Sequence, residues 1–280
     1  MLKKVGDFKK NIVAIDLGNT TISLSFFMPH SLEPVLLRKL STPRIKEHSP
    51  ELIKELSDFF SSLSSLIKSS AEKNEIWVSS VVPSLNEVIK NFISTFIFDN
   101  PSFKGPCFVN SETHLPVKIY YETPHTLGSD RIAFVSFANL EFGGENIICI
   151  DAGTAITYDI VTYLNTYLGG LILPGIGTVK SALIQNTAQL PPYEFIKPAS
   201  IIGNSTRSCL EAGLYHGFKA QTQGIIDMIQ SYLQGITGKG SKVIITGGDA
   251  INLQPFINES ILVQNGVLRG LRLIGEWTKT

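Results

Sequence analysis

Near the start of the chain, an aspartate stands two residues ahead of a glycine at the end of an apolar run, with hydroxyls just behind: Asp16-Leu17-Gly18-Asn19-Thr20-Thr21. Gly18 is expected to let the chain reverse with φ > 0 and to leave nearby N–H groups unobstructed. Thr20 and Thr21 add hydroxyl donors, and Asp16 at the strand end can hold hydrated Mg²⁺. Such a turn can cradle a phosphate, but alone it is also ordinary hairpin chemistry.

The pattern returns near mid-chain. Ile12-Val13-Ala14-Ile15-Asp16-Leu17-Gly18 is echoed by Ile147-Ile148-Cys149-Ile150-Asp151-Ala152-Gly153, with Thr154 and Thr157 behind it. Each copy is an apolar strand ending in Asp-x-Gly, then a tight turn and a second strand-like run, Ile22–Phe27 or Ile156–Val161. Two such hairpins at half-chain separation are hard to obtain from hairpin statistics, and they imply two similar α/β lobes facing one nucleotide cleft. A third element, Val243-Ile244-Ile245-Thr246-Gly247-Gly248-Asp249-Ala250, is a strand followed by paired glycines, where a nucleobase or ribose can approach bare backbone. A tight strand-to-helix turn or a Rossmann-type site remains open there. From the residues, phosphoryl transfer from ATP is as far as the chemistry reaches.

The elements that must position these turns are also legible. Leu52, Ile53, Leu56, Phe59, Phe60, Leu63, Leu66 and Ile67 recur at three- and four-residue steps, and Ser49-Pro50-Glu51 supplies an N-cap, a first-turn proline and an early acid. This reads as an amphipathic helix against a core; its serine and acid face does not suit a membrane surface. The chain of 280 residues can bury two ordinary cores.

Its 24 basic and 24 acidic side chains cancel, so no overall positive field gathers nucleic acid or an anionic membrane. Leu168–Ile184, the most apolar late stretch, is broken by Gly169, Gly170, Pro174, Gly175, Gly177 and Lys180, so no spanning helix is expected. Cys107, Cys149 and Cys209 show no CxxC and are expected to be reduced, mostly core residues of a cytoplasmic protein. Lys3, Lys4, Lys9 and Lys10 lie in a segment without an apolar h-region, which reads as a frayed tail over residues 1–10, dispensable for activity. His30, His48, His114, His125 and His216 have no metal-ligand spacing, although His125 lies close to Tyr121 and Gly128. Trp77 and Trp277 read as core or interface aromatics. Ser79 and Ser80 lack a His/Asp partner pattern for hydrolase chemistry.

The order of motifs resembles the type III pantothenate kinases from about Asn11 to Gly247-Gly248. The resemblance rests on Asp16-Leu17-Gly18-Asn19-Thr20, on Val78-Ser79-Ser80-Val81-Val82-Pro83, and on Tyr121 with Pro124 ahead of Gly128-Ser129-Asp130-Arg131. It continues through Asp151-Ala152-Gly153-Thr154-Ala155, Gly169-Gly170 to Pro174-Gly175, Thr187-Ala188-Gln189-Leu190-Pro191, Gly203-Asn204-Ser205-Thr206 and Gly213. Gly128–Arg131 discriminates, because general members of the acetate/sugar kinase, heat-shock ATPase and actin superfamily share the hairpins without it.

The resemblance implies two actin-like (ribonuclease H-like) lobes, expected over residues 11–126 and 127–280, and a homodimer that phosphorylates pantothenate with ATP as the first step of coenzyme A synthesis. Carried over by position, Asp130 is the general base, a role a carboxylate beside Arg131 can fill; a capped Ser-Asp-Arg helix start is the bland alternative. Tyr121, Gly128, Ser129, Asp130, Arg131 and Thr206 become substrate contacts, with the planar fork of Arg131 suited to a carboxylate. Asp16, Leu17, Gly18, Asn19, Thr20, Thr21, Ile22 and Ser23 become the first ATP loop, and Thr154 a second phosphate contact. Asp16 is expected to serve Mg²⁺, directly or through water, and Asp151 a monovalent cation, K⁺ or NH₄⁺.

Thr123 and Ser129 depart from the usual asparagine and alanine without removing a group the chemistry needs. Two rivals remain: a kinase for another small hydroxylated substrate, and a catalytically silent nucleotide-binding regulator. The regulator's expected mark, a substituted Asp130, Asp16 or Asp151, is not found.

Overall fold

A computed structural model describes residues 8–42, 50–63, 65–67, 73–187 and 190–278. The chain divides into two units, Met1–Glu141 with Asn265–Thr280, and Phe142–Gln264.

The first unit carries β1 (Lys10–Leu17), β2 (Thr21–Phe27), β3 (Leu36–Ser41), β4 (Lys73–Ser80) and β5 (Phe103–Phe108), in the order β3-β2-β1-β4-β5. β2 runs antiparallel to β1 and β3, whereas β1, β4 and β5 are parallel. Strand alternation sorts β1 into two faces. Val13, Ile15 and Leu17 enter a core with Leu52, Leu56, Phe59, Phe60 and Leu63 of α1 (Pro50–Leu63) and Leu85, Ile89 and Ile93 of α2 (Pro83–Asp99). The expected amphipathic helix is therefore α1, with Leu66 and Ile67 packed on the same core just beyond its end; its expected cap, Ser49, lies outside the described residues. A two-residue strand, β6 (Lys118–Ile119), precedes α3 (Ser129–Phe142), and the chain returns to this unit as α7 (Gly266–Trp277).

In the second unit β7 (Asn146–Ala152), β8 (Ala155–Val161), β9 (Thr166–Pro174), β10 (Ser241–Thr246) and β11 (Ile261–Leu262) run in the order β9-β8-β7-β10-β11, with the same directions as their counterparts. The sequence echo is thus a topological repeat. Ile148, Ile150, Tyr158 and Ile160 form its core with Phe218, Ile225, Ile226, Ile229 and Leu233 of α5 (Thr206–Thr237). That long helix starts in a Ser205/Ser208 capping box and stops at Gly238, whose φ of 68° is left-handed. Two short helices, α4 (Ile176–Gln185) and α6 (Ala250–Leu253), follow β9 and β10.

The unit boundaries differ from those expected at 126/127, and α7 supplies the reason. Glu276 Oε1 accepts from the backbone N–H groups of Lys9 and Lys10 at 3.0 and 2.8 Å and from Arg272 Nη1 at 2.8 Å. Lys10 Nζ pairs with Glu75 Oε1 at 2.8 Å and donates to Gly275 O at 2.7 Å, while Trp77 Nε1 donates to Glu75 Oε2 at 3.0 Å. Arg272, at 0% exposure, stacks over the Phe8 ring. Burial lowers the pKa of its guanidinium, and Glu276 opposes that shift.

Gly270 lies so close to α3 that a Cβ there would stand 2.0 Å from Ala133 O. Residues 8–10 are consequently not a tail: Phe8 is buried, and Lys10 opens β1. Cys149 is buried, Cys107 half-buried and Cys209 exposed, and burial drives the Cys149 thiol's pKa well up. No helix among the described residues is long and apolar enough to cross a membrane.

Removing one partner of a buried ion pair leaves an uncompensated charge and costs about 3–5 kcal/mol, whereas replacing both with apolar groups of similar volume is far milder. Arg272→Ala is therefore expected to lose about that much stability in urea titration, Arg272→Met/Glu276→Leu much less, and deletion of residues 1–10 is expected to destabilise like Arg272→Ala rather than be silent.

Candidate active site

In the first unit the Asp16 turn is closed by Gly18 N–H donating to Thr21 O at 3.0 Å. Gly18 does not take the expected positive φ. Glycine suits the position for another reason, since a Cβ would sit 2.9 Å from Thr21 O. Asn19 and Thr20 are exposed at the tip, whereas Leu17 and Ile22 are fully buried and Ser23 nearly so. Leu17 and Ile22 can therefore offer a ligand only their backbone. Asp16 faces away from Leu17, opposite Ser23 on β2 and Ser79 on β4.

The end of β4 ties this turn to Asp130. Val81 N–H donates to Leu17 O at 3.0 Å. One residue earlier, Ser80 N–H donates to Ser129 Oγ at 2.7 Å; that hydroxyl lies 3.1 Å from both Ser80 O and Ser79 Oγ. Ser80 Oγ in turn donates to Asn86 Oδ1 on α2 at 2.6 Å. Ser129 is thus turned inward at 6% exposure, and its hydroxyl anchors the first turn of α3. Asp130 follows, with Arg131 N–H on its Oδ1 at 2.7 Å. Gly128 leaves room for that carboxylate, because a Cβ there would lie 2.5 Å from Asp130 Oδ1. Arg131 is buried and Tyr121 half-buried. Thr123 engages the Thr126 hydroxyl at 2.9 Å across the 3₁₀ turn Pro124–Thr126, on which His125 is exposed.

In the second unit Gly153 N–H donates to Ala155 O at 2.9 Å. This turn spans residues 153–155 between the Ala152–Ile156 pair and is one residue shorter than the first, which spans 18–21 between Leu17 and Ile22. Asp151 pairs in register with Thr157 on β8 and Thr246 on β10, and Thr154 is exposed at the tip. Thr157 Oγ1 and Tyr167 OH donate to the buried Asp159 carboxylate at 3.0 and 2.8 Å. Gly247, at φ 103°, packs on Asp151 and Ala152, and Asp249 N–H donates to Ala152 O at 2.8 Å. Of the glycine pair, only Gly248 has open space where a Cβ would be. Thr206 is exposed on the first turn of α5, a different element from the Asp151 turn.

The structure therefore joins Asp16–Ser23 to Gly128–Arg131 within the first unit, and Asp151 and Thr154 to Gly247 within the second. Sequence reading missed the Ser79-Ser80-Ser129 linkage and the Gly247–Asp151 packing. The adjacent serines were visible as a motif, but their partner lies about fifty positions away.

The repeated β3-β2-β1-β4-β5 sheet, with an Asp-x-Gly turn at each first hairpin, defines an actin-like, two-lobed class of protein. A family profile described as type III pantothenate kinase matches residues 12–228. The type III pantothenate kinase of Chlorobaculum tepidum is 31% identical over 264 residues, 94% of this chain and 92% of that protein. That of Moorella thermoacetica is 32% identical over 266 residues, 95% and 98% of the two chains. A solved Baf family protein from Campylobacter jejuni has the same fold, with a TM-score of 0.55 at 23% identity over 94% of this chain and 96% of that one. This chain belongs to the type III pantothenate kinase family.

Gly247→Ala forces a side chain into a left-handed backbone and within 2.3 Å of Ala152 O. Strain of this kind costs about 1–3 kcal/mol and overpacking a similar amount. The variant is expected to melt several degrees lower, whereas Gly248→Ala, with nothing within 4 Å of its Cβ, is expected to melt like the native protein in a calorimetric scan.

Proposed function

We propose that this chain transfers the γ-phosphoryl group of ATP to the primary hydroxyl of pantothenate, the first step of coenzyme A synthesis, with Asp130 as general base. The observation that carries this reading is the hydrogen-bonded path from Leu17 O through Val81 and Ser80 to Ser129 Oγ, which holds the Asp130 helix start beside the first turn. Asp130 accepts the hydroxyl proton as the oxygen attacks. Its rotamer is held by Arg131 N–H, so the carboxylate needs little reorganisation when substrate arrives. The Arg131 guanidinium suits the substrate carboxylate, and Tyr121, Gly128 and Thr206 complete the substrate contacts. Ser129, its hydroxyl engaged at β4, contributes backbone and position. Asp16 through Ser23 serve as the first phosphate loop, and Thr154, in the second unit, as a further phosphate contact.

Among the described residues no group of three or more His, Cys, Asp or Glu side chains could hold a metal ion. Mg²⁺ is commonly held by one or two carboxylates together with substrate phosphates and water. Asp16, at the strand end beside the turn, would hold it, directly or through water. Asp151 would hold K⁺ or NH₄⁺, with Thr157 and Thr246 in register as neighbouring hard-oxygen groups. Held there, such cations would supply neutralisation of phosphate charge.

The same reading makes the protein a cytoplasmic homodimer. Met228, Tyr232 and Ile236 support the second copy: they recur every four residues on α5 and are 63%, 59% and 52% exposed. Sedimentation equilibrium is expected to give twice the chain mass, and Tyr232→Glu to shift the protein toward the monomer.

In a coupled ADP-release assay, Asp130→Asn is expected to lose about 10²–10⁴-fold in kcat, the usual weight of general acid–base catalysis. Gly128→Ala, which must push the Asp130 carboxylate aside, is expected to lose at least about tenfold. Pantothenate-dependent turnover that persists undiminished in Asp130→Asn removes Asp130 as base. ATP binding by the native protein without such turnover favours the regulator or another acceptor.

A further inference from the structure

Beside each phosphate turn stands a threonine that no motif singled out. Thr42, the first residue after β3, donates its Oγ1 to Gly18 O at 2.7 Å and its N–H to Thr20 O at 2.9 Å. Thr178, shortly after β9, donates its Oγ1 to Thr154 O at 2.6 Å, where Gly175 N–H also donates at 2.9 Å. β3 and β9 each pair antiparallel with the second strand of their hairpin. Two turns that differ in length by a residue are therefore clasped in the same way, from the exit of the third strand.

The clasp has an electrostatic consequence. A turn that grips an anion must present N–H groups, and a carbonyl oxygen aimed at the same ligand opposes binding. In the first turn Gly18 O and Thr20 O are taken by Thr42 and Thr21 O by Gly18 N–H; in the second, Thr154 O is taken by Gly175 and Thr178, and Ala155 O by Gly153 N–H. Acceptors at the tip are thus drawn back into the protein. Gly175 is fitted to this purpose, because a Cβ would meet Gly153 O at 2.0 Å and Thr154 O at 2.8 Å. Thr42 is 9% exposed, so its hydroxyl serves the turn rather than solvent.

We propose that Thr42 and Thr178 are positioning residues for ATP, each holding one turn's carbonyl oxygens away from the phosphates so that the turn acts as a net hydrogen-bond donor. This rests on the reading of the two turns as phosphate sites. A clasp of this kind affects the phosphates and not the nucleoside. Thr42→Val and Thr178→Val keep side-chain shape and remove the hydroxyl; Thr42→Ser and Thr178→Ser keep it.

The test is calorimetric titration of the full-length protein with ATP in Mg²⁺ and, separately, with adenosine. Each valine variant is expected to bind ATP at least about fivefold more weakly, a single hydrogen bond to a charged-ligand site being the difference, with adenosine affinity within twofold of native. The serine variants are expected to recover most of the ATP affinity. Native-like ATP affinity in both valine variants overturns the proposal, as does an equal loss for ATP and adenosine, which would mark a general structural role. If the native protein itself binds ATP no better than adenosine, the phosphate-turn reading fails, and the clasp with it.

Discussion

One carboxylate, Glu276, gathers the first strand and the last helix: it accepts two backbone N–H groups from Lys9 and Lys10 and a guanidinium N–H from Arg272. Buried charges persist only when their hydrogen-bonding capacity is met, and here the strand start, Arg272 and the neighbouring Lys10–Glu75 pair meet it together. β1 is the middle strand of its sheet and ends in the Asp16 turn. Whatever fixes β1 therefore fixes the turn, the adjacent β4 end and, through Ser80 and Ser129, the helix that carries Asp130. The placement of the Asp16 turn at one end of the sheet depends on an ion cluster at the other.

The second unit supports its shorter Asp-x-Gly turn through other contacts. Its β7 is flanked by β8 and β10, and Gly247 packs directly on Asp151 and Ala152. In the first unit the corresponding support is a strand-end backbone bond, Val81 N–H to Leu17 O; in the second it is Asp249 N–H to Ala152 O. The common element is a neighbouring parallel strand whose exit caps the Asp-x-Gly turn. The differing element is what the exit leads into: Pro83 and α2 in one case, a glycine pair and the short α6 in the other. The second exit leaves open backbone at Gly248.

Ser129 illustrates how a polar side chain is absorbed at a buried helix start. Its hydroxyl is a polar group at a position 6% exposed, which would be costly without partners. β4 supplies three: Ser80 N–H, Ser80 O and Ser79 Oγ. The hydroxyl thereby anchors the first turn of α3 to β4.

The sequence by itself determined the repeat. Alternating apolar residues ending in Asp-x-Gly specify a strand and a turn from local sterics and patterning, so both hairpins, α1 and the glycine-paired strand end were legible, and family motifs marked Asp130. The division of the chain was not legible, because α7 joins the first unit through Arg272, Glu276 and Gly270, whose partners lie at the far end of the sequence or on another helix. For the same reason Lys10 read as tail charge and not as half of a buried ion pair. Gly18 was expected to need a positive φ; only the fold revealed that its constraint is the closeness of Thr21 O. Local periodicity fixes which residues face inward. Which distant hydroxyl or carboxylate they meet there is decided by strand order and helix placement, and only the tertiary structure sets those.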